Sequence, residues 1–232
     1  MAPKTALITG ASSGIGAATA LRLAHEGIEV ALVARSTAAL ASIHKKIEHQ
    51  GGIGYFFPMD ITDESNRLSL FESLQSKWNQ LDYLVNNAAR LEIRPFESIP
   101  MREWDEQMDL NVRTVFRIAQ LAFQWMKKEG GGTMVNVASI SGVYGPEKYP
   151  GMGAYVTSKY AVVGLTEMIA LEGKPYGIRV NAVSPGSVNT DMLRTHLPHV
   201  QPTMEPEAVA NVIHFLLRDE SNALWGKNIQ VY

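Results

Sequence analysis

The sequence predicts one doubly wound α/β domain, residues 1–232, built on a parallel sheet of about seven strands with helices on both faces. Three observations predict it. Short β-rich runs alternate strictly with longer stretches of helical period. The strand-like runs are nearly continuous in apolar residues, the mark of strands covered on both faces. A chain of 232 residues, 46% hydrophobic and 19% charged, can bury a substantial core within one domain. Strict β–α alternation with right-handed crossovers then leaves a parallel sheet.

Taken in order, TALIT at 5–9 opens the sheet and runs into the turn Thr9-Gly10-Ala11-Ser12-Ser13-Gly14-Ile15-Gly16, followed by a helix over 15–26. EVALVA at 29–34 is the second strand, ending Ala34-Arg35, and helix 37–49 follows with Lys45, Lys46 and Glu48 on a solvated face. YFFPM at 55–59 leads through Asp60-Ile61 to helix 64–78. DYLVN at 82–86 is followed by a helix over 102–127, and TMVNVA at 133–138 by Ser139 and a helix over 154–173. IRVNAV at 178–183 precedes Pro185-Gly186, helix 206–217 and a last short strand at 228–232. No repeat, low-complexity tract or linker composition interrupts this order.

Composition excludes several functions. The formal net charge is −2 and the lysines and arginines are scattered, which argues against a nucleic-acid surface or a polybasic membrane anchor. There are no cysteines, so thiol catalysis and disulfides are out. No apolar run approaches the length of a membrane span, and MAPKTALITG lacks a signal-peptide core, so a cytoplasmic protein is expected. His196 and His199 form H-x-x-H without a third or fourth ligand nearby, and no metal is expected.

The glycine-rich turn sits between a strand and a helix, where a backbone can approach a pyrophosphate closely and a helix N-terminus offers free N–H groups. Its glycines are spaced G-x-x-x-G-x-G, and taken alone the turn suits either a nucleotide or a plain tight connection. Apolar residues cover most of the circumference of 112–126 and of 160–171. Such helices are buried on two sides, the second being either the rest of the domain or another subunit.

Two copies of Y-x-x-x-K occur, at Tyr144/Lys148 and Tyr155/Lys159. The first contains Gly145-Pro146, which disfavours the helix needed to bring its two ends to one face. The second has no glycine or proline between residues 154 and 161, so Tyr155 and Lys159 share a helical face at i, i+4. A free tyrosine has pKa about 10, and bringing it toward neutrality needs about three units, roughly 4 kcal/mol. An ammonium about 5 Å away supplies roughly 3 kcal/mol at an effective dielectric near 20, so the lysine together with a second positive charge in the site is expected to meet the requirement.

The pattern TGxxxGxG, Asp60-Ile61, Asn86-Asn87-Ala88-Ala89, Asn111 in L-N-V, Ser139 in N-V-A-S, Tyr155 and Lys159, Arg179-Val180-Asn181 and Pro185-Gly186-Ser187-Val188-Asn189-Thr190 together resemble the short-chain dehydrogenase/reductase family, over residues 4 to about 192. Ala89 stands where the family has glycine, and the family's V-D-G-G ending is replaced by Q-V-Y. The resemblance implies a Rossmann-type fold and hydride exchange with a carbonyl or alcohol, be it a ketone, an aldehyde or a 3-oxoacyl compound. It assigns Tyr155 as general acid/base, Ser139 as the residue holding the substrate oxygen, Lys159 beside them and Asn111 in a proton relay. It also assigns cofactor contacts to Gly10, Ser12, Ser13, Gly14, Ile15 and Gly16, to Asp60, Ile61, Asn87 and Ala88, to Tyr155 and Lys159, and to Pro185, Gly186, Val188 and Thr190. An acid at the end of the second strand marks NAD enzymes; here it is Ala34, and the next residue is Arg35, whose guanidinium suits a 2′-phosphate. NADP(H) is therefore the expected cofactor of this carbonyl reductase. The alternatives are a non-catalytic NADP(H) sensor and non-redox chemistry on the same scaffold, against which stand the complete Asn-Ser-Tyr-Lys set and the intact glycine and Pro-Gly motifs. A homo-oligomer, tetramer before dimer, is expected through the helices near 102–127 and 154–173. Residues 191–205 are expected to form a short substrate lid with Met192, Leu193 and Leu197 as apolar wall, and 143–152 a second wall.

Overall fold

Residues 3–145 and 148–232 are described in the computed structural model. The elements are β1 (Thr5–Thr9), α1 (Gly14–His25), β2 (Glu29–Ala34), α2 (Thr37–His49), β3 (Gly54–Pro58), α3 (Glu64–Gln75), β4 (Tyr83–Asn86), α4 (Met101–Met108), α5 (Val115–Lys128), β5 (Gly132–Val137), α6 (Gly153–Gly173), β6 (Ile178–Pro185), α7 (Asp191–His196), α8 (Pro206–Leu217) and β7 (Asn228–Val231). The seven strands form one sheet in the order β3-β2-β1-β4-β5-β6-β7, and every pairing is parallel.

Burial on both faces of β1 explains the layering. Ala6 and Ile8 point into a core shared with Leu23 of α1, Leu40 of α2 and Ile213 of α8. Leu7, between them, enters the opposite core with Leu70 of α3, Ile118 of α5 and Ala170 of α6. Burying each such leucine or isoleucine contributes about 1.5–3 kcal/mol, so the continuous apolar strands commit the chain to two helical layers. The helices also begin where local chemistry directs. Ser36 and Asp63 accept backbone N–H bonds at the starts of α2 and α3, and Pro206 occupies the first turn of α8.

The helix expected over 102–127 is interrupted. A π-helical segment, Asp109–Thr114, separates α4 from α5 and turns Asn111 and Thr114 inward, both buried. The inserted geometry has a partner: the Asn111 amide bonds both the N–H and the C=O of Arg90, at 2.8 and 2.9 Å. The short helix α7 lies within the expected lid, and no sequence signal had separated it from loop.

Side-chain amides link the sheet to the helices. Asn86 Nδ2 donates to Asn136 Oδ1 at 2.9 Å, and Asn136 Nδ2 donates to Thr166 Oγ1 at 2.9 Å, tying β4 and β5 to α6. Arg179 of β6 is buried and donates to the carbonyls of Leu217 and Arg218 at 3.2 and 2.8 Å, where the α8 C-terminus offers unpaired acceptors and a negative dipole end. The chain leaves β1 toward β2 on one side and β4 toward β5 on the other, so a crevice opens at the carboxyl ends of β1 and β4.

Asn136→Ala would leave the Asn86 amide without its acceptor and Thr166 without its donor. Urea unfolding should show a loss of about 2–4 kcal/mol; a loss below about 0.5 kcal/mol would mean that water or repacking replaces both bonds.

Candidate active site

A cleft of about 960 Å³ occupies this crevice. One side is the glycine-rich turn. Gly10 has φ +65, and a Cβ there would lie 2.8 Å from the Ala88 backbone. A Cβ on Gly16 would meet the Gly10 carbonyl oxygen at 2.3 Å, so glycine is needed to let α1 close under the turn. The cap residue Ser13 makes no side-chain bond to the first turn of α1, which leaves those N–H groups to whatever enters the cleft. Asn87 Nδ2 donates to the carbonyls of Thr9 and Gly10 at 3.0 and 3.1 Å, and Thr9 Oγ1 accepts from the amides of Asn87 and Ala88 at 3.0 and 3.1 Å. Thr9 was not among the expected site residues; it stitches β4 to the turn. Ala89 replaces glycine without cost, since no non-glycine residue among those described has a positive φ.

The second part is the β5 end. Ser139 starts a short 3-10 turn, Ile140–Gly142; its Oγ accepts from the Ser141 amide at 3.1 Å and lies beside the Tyr155 hydroxyl. The turn packs directly on α6: a Cβ on Gly142 would lie 2.6 Å from the Lys159 backbone. Lys159 Nζ donates to the Val137 carbonyl at 2.9 Å and lies 5.5 Å from the centre of the Tyr155 ring. Both residues are buried, at 8% and 3% exposure, and burial decides their protonation. Desolvation pushes the Tyr155 phenol up to about 12, with the Ser139 bond acting in the lowering direction. It pushes the Lys159 ammonium down to about 8. The expectation had the lysine and a second positive charge together lowering the phenol; in the protein alone, the cost of taking each charge from water exceeds their attraction.

Of the expected site residues, Gly10, Ser12, Ser13, Gly14, Ile15, Arg35, Asp60, Ile61, Asn87, Ala88, Ser139, Tyr155, Lys159, Pro185, Gly186, Val188 and Thr190 all line the cleft. Gly16 and Asn111 do not. Gly16 sits beneath the turn, and Asn111 lies behind the wall, where its Nδ2 also donates to Ser158 Oγ at 3.0 Å; Ser158 in turn donates to the Tyr155 carbonyl at 2.7 Å. Arg35 is exposed at the cleft edge. Asp60 is held below the usual carboxylate range by the Thr62 amide and hydroxyl and by Arg35. Thr190 caps α7 and approaches Gly14, so the lid base and the glycine-rich turn meet. Met192, Leu193, Leu197, Tyr149 and Met152 line the cleft from the two expected walls, together with Arg90, Leu91 and Glu92, which had no sequence signal beyond following Ala89. Of the competing Tyr144/Lys148 motif, Pro146 and Glu147 lie outside the described residues; Tyr144 is exposed in non-helical backbone and Lys148 Nζ donates to the Val143 carbonyl at 2.6 Å. Among the described residues no three His, Cys, Asp or Glu side chains are grouped to hold a metal, and no helix is long and apolar enough to cross a membrane.

Known proteins share this arrangement. The family model described as short chain dehydrogenase matches residues 4–201. The chain is 35% identical over 238 residues to a 3-oxoacyl-[acyl-carrier-protein] reductase of Thermotoga maritima, covering 98% of this chain and 96% of the relative. It is 33% identical over 240 residues to a cyclopentanol dehydrogenase of Comamonas testosteroni, covering 98% and 95%. A short-chain type dehydrogenase/reductase from Mycobacterium marinum superposes with a TM-score of 0.93 at 32% identity, covering 98% and 93%.

The depressed lysine has a consequence for stability. Between about pH 8 and 10.5 the unfolded chain still holds the Lys159 proton that the folded chain has released. Stability from this group therefore rises with pH across that window, by up to about 3 kcal/mol. Lys159→Met should flatten the rise in denaturant midpoint over the window, and an unchanged slope would show that the lysine is not desolvated.

Proposed function

We propose that this chain, which belongs to the short-chain dehydrogenase family, is an NADP(H)-dependent carbonyl reductase, reversible as an alcohol dehydrogenase, with Tyr155 as its general acid and base. Membership makes it an oxidoreductase that uses a nicotinamide cofactor on carbonyl or alcohol substrates. The observation that carries the finer reading is the convergence of Ser139 and Lys159 on a buried Tyr155 in the same cleft as the glycine-rich turn.

The cofactor fits the residues present. The uncapped first turn of α1 with Gly10, Ser12, Ser13, Gly14 and Ile15 would hold the pyrophosphate, on the close approach that Gly16 allows. Asp60 and Ile61 would border the adenine, Asn87 and Ala88 the middle of the dinucleotide, Tyr155 and Lys159 the nicotinamide ribose, and Pro185, Gly186, Val188 and Thr190 the nicotinamide end. Family membership leaves NAD(H) and NADP(H) open. Arg35 favours the phosphate: it makes no ion pair within 4 Å among the described residues, and β2 ends in Ala34 instead of an acid. When bound, the nicotinamide supplies or accepts the hydride equivalent, and in its oxidised form it adds a positive charge to the cleft.

The chain's own side chains handle the proton. Tyr155 Oη gives a proton to the carbonyl oxygen in reduction and withdraws one from the hydroxyl in oxidation. Ser139 Oγ holds that oxygen in place. Lys159, at about 8, can carry or release a proton near neutral pH and so feeds the phenol. Asn111 positions this group from behind, through Ser158 and the Tyr155 carbonyl, and belongs to the relay that resupplies the lysine. Residues 191–205 act as lid, with α7 within it. Exposed Phe116 of α5 and Met168 and Leu171 of α6 support a homo-oligomer through these helices, a tetramer before a dimer.

The test is oxidation of NADPH with a panel of ketones, aldehydes and 3-oxoesters. NADPH should exceed NADH in kcat/KM by at least about tenfold. Tyr155→Phe should cut turnover by about 10²–10⁴-fold with NADPH affinity unchanged. Equal use of the two cofactors would remove the NADP(H) assignment, and near-normal turnover by Tyr155→Phe would remove the mechanism.

A further inference from the structure

The substrate end of the cleft is built from two kinds of surface, and neither accepts an anion. Leu91, Met152 and Leu197, 5%, 4% and 5% exposed, pack around Tyr155, and Met192 and Leu193 of α7 join them from the lid. All five line the cleft, so a compound whose oxygen meets Tyr155 lies against hydrocarbon.

The arginines that border this end are already paired. Arg90 is bound by Glu106 at 2.6 Å and by Glu92 at 3.0 Å, and Arg102 binds Glu106 at 2.7 Å, so two arginines and two glutamates balance. Asp109 pairs with Arg113 at 3.0 Å and Asp191 with Arg194 at 2.8 Å. Lys159 donates to the Val137 carbonyl. Arg35, the other cation on the cleft wall, stands at the end of β2, away from α7. An unpaired carboxylate here would lose its water against hydrocarbon, whereas a hydrocarbon chain or ring would gain contact area.

Resting on the reading of Tyr155 as proton donor, we propose that the substrate is a neutral carbonyl compound with an apolar body, an alkyl or alicyclic ketone or the matching secondary alcohol. Oxo-acids with a carboxylate close to the carbonyl are rejected by the Leu91–Met152–Leu197 wall, since the nearby Arg90 is already held by two carboxylates.

Ethyl 3-oxobutanoate and the 3-oxobutanoate anion present the same ketone with and without the charge. With NADPH near neutral pH, kcat/KM for the ester should exceed that for the anion by roughly 30-fold or more, with cyclohexanone turned over alongside the ester. Equal values, or a preference for the anion, would overturn the inference and leave the carbonyl reductase standing. No turnover of any neutral ketone by protein that binds NADPH would instead withdraw the reductase reading, and the inference with it. Leu193→Arg, checked for wild-type NADPH affinity, should narrow the ester-to-anion ratio by at least about tenfold. An unchanged ratio in that folded variant would show that the wall does not meet the substrate.

Discussion

Desolvation of one phenol and one ammonium is the constraint around which this structure is arranged. Tyr155 and Lys159 are both buried, and each is pushed toward its neutral form. Keeping them there requires a rigid surround, because a mobile wall would admit water and cancel the effect. The surround is supplied by the end of β5, whose Val137 carbonyl takes the Lys159 proton donor, and by the 3-10 turn after Ser139, which fits against α6 only because residue 142 is glycine. From behind, the π segment presents Asn111 to Arg90 and Ser158, so the cleft wall and α6 are fixed by one side chain. The parallel sheet matters to function because it brings these separate pieces to the carboxyl ends of neighbouring strands.

The same economy of space governs the nucleotide side. Gly10 and Gly16 leave no room for a Cβ, and the Asn87 amide and the Thr9 hydroxyl hold β4 against the turn. The turn is thus rigid before anything binds, and its ligand need not supply the energy of shaping it. The segment proposed as a lid is built differently. It is anchored at its base, where Val188 bridges Met204 and Asn189 bonds Glu205, while α7 spans only Asp191–His196.

The strands and most helices were legible because their apolar patterns are long and unambiguous; β1, β2, α2 and α8 coincide with the expected ranges, and most of the rest differ by a few residues at their ends. The break at Asp109–Thr114 was not legible. A π segment exchanges one hydrogen-bond register for another without changing which residues are apolar, and its cause, the Arg90 backbone, lies about twenty positions earlier. Tyr155 and Lys159 could be chosen over Tyr144 and Lys148 from helix geometry alone, since Gly145-Pro146 is visible in the chain. The direction of the Tyr155 shift could not be read that way, because burial belongs to the folded packing of Leu91, Met152 and Leu197 around it. Those wall residues, and the acids around Arg90, come together only in three dimensions. They are what speaks to substrate identity.

In the protein alone, burial keeps Tyr155 protonated, and a positive charge in the cleft is needed to bring the phenol toward neutrality. Ionisation of Tyr155, followed across pH as the ultraviolet difference between the wild type and Tyr155→Phe, tests this most directly. In the protein alone the phenol should ionise well above the free value of about 10, and saturating NADP⁺ should lower it by at least about two units. A phenol that ionises at or below the free value in the protein alone, or that does not respond to NADP⁺, would contradict the account.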